Sequence, residues 1–268
     1  MLKLENIIGM EEAKAKLNET IDALKNGQRP EPVLLVGGSG MGKTYLIRKT
    51  VKELAADPEG AAALIIPCYG LRGVSLGAAY EALNAILEEA EKYDPLLLFV
   101  DEADLAFPRK PNYDDLVILK RFIRFCAQKK NLAVWFTTPN EDRLYWGFEA
   151  VRRIRISALS RDERKKLFQL YRAGKPLADD VNLDELADLT RSRGQLTFSF
   201  CVGRKSEQET VFFTATGIAQ ICDEAARCAI IAFINDKGGE AEAEAAADEL
   251  FIDQRHLKAA IVEMTIKR

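Results

Sequence analysis

VLLVGGSGMGKTY, residues 33–45, joins a short apolar run to a G-x-x-x-x-G-K-T loop and then to the start of a helical pattern. The run at 33–36 lies between Pro32 and Gly37, as expected of a strand buried on both faces. Beyond the loop, Leu46, Ile47, Val51 and Leu54 recur at helical spacing. A strand, a glycine loop and a helix N-terminus aim successive backbone N–H groups at an anion, with the helix dipole behind them. The expected phosphate cradle is therefore Gly37, Gly38, Ser39, Gly40, Met41, Gly42, Lys43, Thr44 and Tyr45. Gly37, Gly40 and Gly42 permit close approach. Lys43 is expected to neutralise β/γ-phosphates and to serve the reaction, and the Thr44 hydroxyl to ligate Mg2+.

A second signal completes the chemistry. Five apolar residues, LLLFV at 96–100, run straight into Asp101 and Glu102. A carboxylate at the C-terminal end of a parallel strand faces the crevice where such sheets bind ligands. Asp101 is the expected partner of Mg2+, and Glu102 the candidate base for an attacking water. Asp104 reads as a helix-start acid rather than a third catalytic carboxylate. The two signals together predict binding and hydrolysis of a nucleoside triphosphate.

Composition narrows the setting. The 268 residues are 48% hydrophobic and 29% charged, a mix normal for globular proteins. Net charge is −3, so the overall balance does not favour nucleic acid as a partner. No run of 18 apolar residues occurs and the N-terminus is no signal peptide. The five cysteines, at 68, 126, 201, 222 and 228, form no C-x-x-C pair; they read as packing in a reducing cytosol, so a cytoplasmic location is expected. His256 is the single histidine, which argues against histidine catalysis or zinc.

Strand candidates at 33–36, 62–66, 96–100 and 132–137, with a weaker fifth at 154–159, alternate with helical patterns such as 78–92 and 115–128. In the latter, Leu116, Leu119, Phe122, Ile123 and Cys126 share one face. Such alternation predicts a doubly wound parallel α/β sheet of five strands over residues 1–159. Residues 160–268 read as a small helical domain. Ser160 and Glu163 form a capping box for a helix at 161–172, closed by Gly174 and Pro176, with further helices at 183–190 and 217–234. Residues 195–202 and 210–214 predict a β-hairpin inserted at about 195–213, and the acidic stretch 236–249 a mobile connector with a frayed helix.

Over nearly its whole length this organisation resembles the AAA branch of the AAA+ ATPases, with a single ATPase module. Ile7-Ile8-Gly9-Met10 followed by Glu11-Glu12-Ala13-Lys14 resembles the N-terminal segment whose Ile-Gly backbone, here Ile8 and Gly9, holds adenine. FTATGIAQICDEAA, 213–226, resembles the family's F-S-G-A-D-I-A-N-I-C-N-E-A-A at the start of the lid helix. The resemblance places Thr214, Ala215 and Thr216 against the adenosine, with Ala215 where the family has glycine. It places Thr138 at the sensor-1 position, with Asn140 as the alternative, where the family has an asparagine. Arg152 falls on the second arginine-finger position, followed by Arg153, and Glu149 stands at the first. Gly73 to Gly77 falls on pore loop 1, where Ser75 takes the aromatic position and Val74 and Leu76 are left to touch a threaded chain. LLLFVDEAD with a pore loop lacking an aromatic looks like the mitochondrial inner-membrane AAA proteins, though none of their N-terminal membrane segments is present.

The resemblance implies an ATP- and Mg2+-dependent ATPase working as a homo-oligomeric ring, a hexamer, that remodels, disassembles or translocates a protein partner. A nucleotide-gated scaffold with slow turnover and a nucleic-acid motor or loader are the alternatives left standing.

Overall fold

The computed structural model describes residues 4, 7–57, 60–148, 151–172, 175–191 and 213–266. The chain divides into two units, Met1–Ser157 and Ala158–Arg268. The expected hairpin at 195–213 lies almost wholly outside the described residues, as does Glu149.

In chain order the first unit contains α1 (Glu11–Lys25), β1 (Val33–Val36), α2 (Lys43–Ala55), β2 (Ala62–Pro67), α3 (Leu76–Glu91) and β3 (Leu96–Asp101). It continues with α4 (Ala103–Ala106), α5 (Tyr113–Gln128), β4 (Leu132–Thr138) and β5 (Arg152–Arg155). The five strands form one parallel sheet in the order β2-β3-β4-β1-β5. Strand residues alternate between two cores. Leu34, Leu96, Leu98, Val100, Leu132, Val134 and Phe136 pack on one side, where α3 and α5 supply Leu83, Leu87, Ile118 and Phe122. Val33, Leu35, Leu97, Phe99, Ala133 and Trp135 pack on the other, against Leu17, Leu46 and Ile47 of α1 and α2. Burial on both faces is why these strands read as unbroken apolar runs. Trp135 is fully buried, and its indole N–H donates to Thr20 Oγ1 at 3.3 Å.

Two expectations need correction here. The fifth strand is Arg152–Arg155 rather than 154–159. Among the described residues it pairs only with β1, from Arg152 opposite Val33 to Arg155 opposite Val36, and only Ile154 of its four residues is buried. A one-sided edge strand reads RRIR, which carries no apolar run to find. On α5 the buried face is Ile118, Leu119, Phe122 and Phe125, whereas Leu116 and Ile123 are exposed. The sequence carries two apolar stripes on that helix, and the one centred on Phe122 meets the sheet.

The second unit contains α6 (Arg161–Tyr171), α7 (Leu183–Leu189), α8 (Ala215–Lys237), α9 (Glu240–Ala245) and α10 (Gln254–Ile266). Phe168, Leu186, Ile218, Ile221, Ala225, Leu257 and Ala260 are buried within it. The acidic stretch 236–249 is more ordered than expected: α8 runs on to Lys237 and stops at Gly238 in the left-handed region, and α9 then follows. Lys237 also reaches Glu249 at 2.6 Å, tying the two ends of the stretch together. The capping box forms as read, with the Glu163 N–H donating to Ser160 Oγ at 3.2 Å and the Ser160 N–H to Glu163 Oε2 at 2.7 Å. Ser160→Ala removes one of the two bonds and is expected to cost about 1 kcal/mol. A denaturant titration that left the midpoint of unfolding unchanged would count against that contribution.

Cys68 and Cys222 are packing residues, as expected, and burial pushes the Cys222 thiol up to about 11. Among the described residues, no helix is long and apolar enough to cross a membrane.

Candidate nucleotide site

Gly37 leaves β1 with its N–H on Thr138 O at 3.2 Å, so the loop starts at the C-terminal end of β4. A Cβ on Gly37 would lie 3.0 Å from Ile156 Cβ, so a larger residue there would have to push back the chain leaving β5 by a few tenths of an ångström. Gly42 opens α2 at φ +90°, and a Cβ there would also approach Met10 Cε to 3.1 Å. The segment before α1 thus reaches the loop; within it Gly9 and Met10 are both left-handed, and Lys14 Nζ holds Ile7 O at 2.9 Å. Ile8 is half-buried. With Gly42 as N-cap, no side chain competes for the first amides of α2, which suits an anion.

Lys43 is buried, and its ammonium donates to Gly37 O and to Gly38 O, the latter at 2.9 Å. Burial lowers its pKa, opposed by the charges of Asp101, Glu102 and Asp104. Asp101 is buried too and accepts two hydroxyls, Thr44 Oγ1 on Oδ2 at 2.8 Å and Thr137 Oγ1 on Oδ1 at 2.6 Å. Because Thr44 gives its proton to Asp101, its oxygen keeps lone pairs for a cation. This hard oxygen pair fits Mg2+.

Glu102 is exposed and adopts φ 56°, ψ 50°, costing an ordinary residue about 1–3 kcal/mol. It caps α4: its N–H donates to Thr137 Oγ1 at 2.9 Å and its carbonyl accepts Leu105 N–H at 2.9 Å. Asp104 stands in the first turn of α4, buried, with its Oδ1 3.0 Å from Thr138 Oγ1. Thr138 is fully buried, lies 2.9 Å from Asn140 O and accepts Asn140 N–H at 3.3 Å. The Asn140 side chain accepts Asp142 N–H at 2.8 Å and so caps the turn Glu141–Arg143.

Residues 37–45, Asp101, Glu102 and Thr138 therefore gather at one end of β1, β3 and β4. The arginines do not join them. Arg152 stands level with Val33, four residues before the loop, which is about 13 Å along a strand. Its side chain is exposed and, among the described residues, meets only Glu12, at 3.4 Å. Arg153 binds Glu141 at 2.9 Å. Arg155 binds the same carboxylate, and the two arginines hold Glu141 below its usual pKa, Arg155 contributing most. Ala215 and Thr216 open α8 of the second unit, capped by Thr214 Oγ1, which accepts Gly217 N–H at 3.1 Å. In the expected pore loop, Ser75 caps α3, Val74 is exposed and Leu76 packs partly against the core. Sequence reasoning missed Thr137. The available signal was a Thr-Thr pair ending an otherwise apolar strand.

A phosphate loop beside an acid-tipped strand, in a five-stranded parallel sheet, defines a P-loop nucleotide-binding protein. Residues 33–159 match the ATPase family associated with various cellular activities (AAA). The chain is similar to the cell division cycle protein 48 homolog of Archaeoglobus fulgidus, at 26% identity over 97% of this chain and 35% of the relative. It is similar to the ATP-dependent zinc metalloprotease FtsH 2 of Alkaliphilus metalliredigens, at 25% identity over 70% of this chain and 30% of the relative. For the ATP-dependent zinc metalloprotease FtsH of Thermus thermophilus the figures are 29%, 69% and 32%. The match to that family covers the segment that carries both the phosphate loop and the acid-tipped strand. The chain spans about a third of the length of these relatives.

Proposed function

We propose that the module binds ATP with Mg2+ at the loop of residues 37–45 and hydrolyses it within a ring of identical subunits, a hexamer, to remodel or disassemble a protein partner. The observation that carries this reading is the Thr44–Asp101 bond beside buried Lys43, a cation and a hard oxygen pair set for a polyphosphate. Bound Mg2+ would supply charge neutralisation on the phosphates, held by Thr44 and Asp101. Lys43 binds the β/γ-phosphates, and Glu102, exposed at the mouth of the site, takes the proton of the attacking water. Ile8 and Gly9, close in sequence to the Met10 that touches the loop, are proposed to hold the base. The protein partner rests on the relatives, whose names include an ATP-dependent metalloprotease. Val74 is the exposed apolar residue at the pore-loop position.

Arg152 is proposed as the finger that acts on the neighbouring subunit's nucleotide. Its exposed contact with Glu12 belongs to a class worth about 0–1 kcal/mol and is readily exchanged for phosphate, whereas Arg153 is committed to Glu141. Arg152→Ala should leave ATP binding nearly intact and slow hydrolysis, by about 10³-fold if the finger is fully engaged. Mixing it with Glu102→Gln subunits should restore activity at interfaces that pair a sound Glu102 with a sound Arg152. Verified mixed rings without recovery would remove the trans-acting finger, and an equal defect in Arg153→Ala would move it by one residue.

One observation favours a second reading, a nucleotide-gated scaffold with slow turnover: Thr138 is sealed from solvent and bonded to Asp104 rather than presenting a free amide. Turnover measured with and without an unfolded polypeptide, together with ring size by sedimentation, separates the two. Stimulation by polypeptide supports the remodeller; slow, unresponsive turnover in full rings supports the scaffold.

A further inference from the structure

We propose that Thr137 is a positioning residue for hydrolysis: its single hydroxyl holds the metal-side carboxylate of Asp101 and the backbone of the candidate base Glu102 in one geometry. The inference rests on the roles given to Asp101 and Glu102 above.

The directions of its two hydrogen bonds follow from elementary chemistry, without sight of any hydrogen. An ionised carboxylate only accepts, so the 2.6 Å contact with Asp101 Oδ1 takes the one proton of Thr137. A backbone N–H only donates, so the 2.9 Å contact from Glu102 N uses a lone pair of the same oxygen. Thr137 is fully buried, so no water substitutes for either bond. The bond to Asp101 is charge-assisted and belongs to the stronger class.

Each bond constrains one reacting group. Asp101 has Thr44 on Oδ2 and Thr137 on Oδ1, so its carboxylate cannot rotate without breaking a bond to α2 or to β4. At Glu102 the chain turns out of β3 through the left-handed region, which a non-glycine residue keeps only when its surroundings impose it. Thr137 supplies part of that imposition. Without its hydroxyl the Glu102 N–H is left without its acceptor, which is costly for a part-buried group. The turn then relaxes towards an ordinary conformation and carries the Glu102 carboxylate with it. A displacement near 1 Å at a reacting group costs about 10²-fold in rate.

The neighbouring threonine does different work. Thr138 is bonded to Asp104 and to the backbone of Asn140, not to Asp101 or Glu102. Adjacent residues on β4 thus secure adjacent parts of the acidic segment, and neither hydroxyl can replace the other.

The test uses the full chain. Thr137→Val keeps the shape and removes the hydroxyl; Thr137→Ser keeps the hydroxyl and removes a methyl. Steady-state ATP hydrolysis gives kcat and KM, and calorimetry with a non-hydrolysable ATP analogue plus Mg2+ gives affinity. Thr137→Val is expected to lower kcat by about 10–100-fold with affinity changed by less than about threefold, and Thr137→Ser to stay within about threefold of the parent in both. In a Glu102→Gln background the valine substitution is expected to slow the residual turnover by a smaller factor than in the parent, because only the hold on Asp101 is then left to lose. A merely structural hydroxyl would slow both backgrounds equally, and that result would overturn the proposal. So would full turnover in Thr137→Val, or a serine variant as slow as the valine one. If Thr137→Val does not fold, Thr137→Ala takes its place in the same comparison; if neither folds, the hydroxyl holds the fold rather than the carboxylates and the proposal falls. Undiminished hydrolysis in Glu102→Gln alone would instead remove the base assigned under the proposed function, whereas a normal Glu102→Gln defect with an unaffected Thr137→Val sinks only the role of Thr137.

Discussion

Lys43→Ala is expected to abolish measurable ATP binding. The ammonium is the cation at the centre of the loop, flanked by Asp101, Glu102 and Asp104, whose charges all act on it. Its removal leaves three acids facing an incoming polyphosphate, so attraction is replaced by repulsion. Hydrogen bonds to charged groups are worth about 1.5–3 kcal/mol each, so if the ammonium gives the phosphates two, affinity should fall by about 100-fold or more. The substitution also strips the Gly37 and Gly38 carbonyls of a donor, and circular dichroism must show that the variant remains folded. Calorimetry on the folded variant then decides. Affinity for ATP near that of the parent would mean that the loop of residues 37–45 is not the phosphate site.

How legible this site was depended on whether its chemistry is local. The loop is a contiguous demand: an anion held by backbone amides favours glycine where the chain must pass close to Ile156 and turn at positive φ, as at Gly37 and Gly42. Those residues stand together and can be read directly. The three inner strands, β3, β4 and β1, were equally plain, because burial on both faces turns them into apolar runs with no competing period. β5 was displaced because its pairing to β1, not its composition, makes it a strand. The face of α5 was misjudged because Leu116 and Ile123 are as apolar as the residues that the sheet covers. α1 and α10 lie outside the helical patterns expected from the sequence. The Thr-Thr pair marks Thr137 as unusual, but what it bonds to was hidden for a stricter reason. Its partners stand more than thirty positions earlier, and the contact exists only because β3 and β4 pair in parallel with Val100 opposite Phe136, bringing Asp101 and Thr137 to the same level. Register of that kind belongs to the tertiary fold, and no spacing along the chain announces it.

Glu102→Gln is expected to retain ATP binding while turnover falls at least about tenfold. The amide is nearly isosteric with the carboxylate, and the side chain is exposed, so little packing is lost. The backbone features that set the position survive as well: the left-handed turn, the N–H on Thr137 and the carbonyl accepting Leu105 N–H involve no side-chain atom of Glu102. What disappears is the capacity to accept a proton from water. The negative charge also disappears, and because that charge acts on Lys43 without repelling the lysine, its loss should leave affinity for ATP unchanged or slightly raised. Binding and turnover therefore separate in this variant, whereas in Lys43→Ala they fall together. If the proposed ring and partner exist, that separation makes Glu102→Gln the form to use in isolating the partner. Undiminished hydrolysis would move the base elsewhere. Asp104 is then the first alternative, although its bond to Thr138 and its burial leave it poorly placed to meet water. Double substitution with Asp104→Asn decides that case, since two equivalent carboxylates would be silent singly and inactive together.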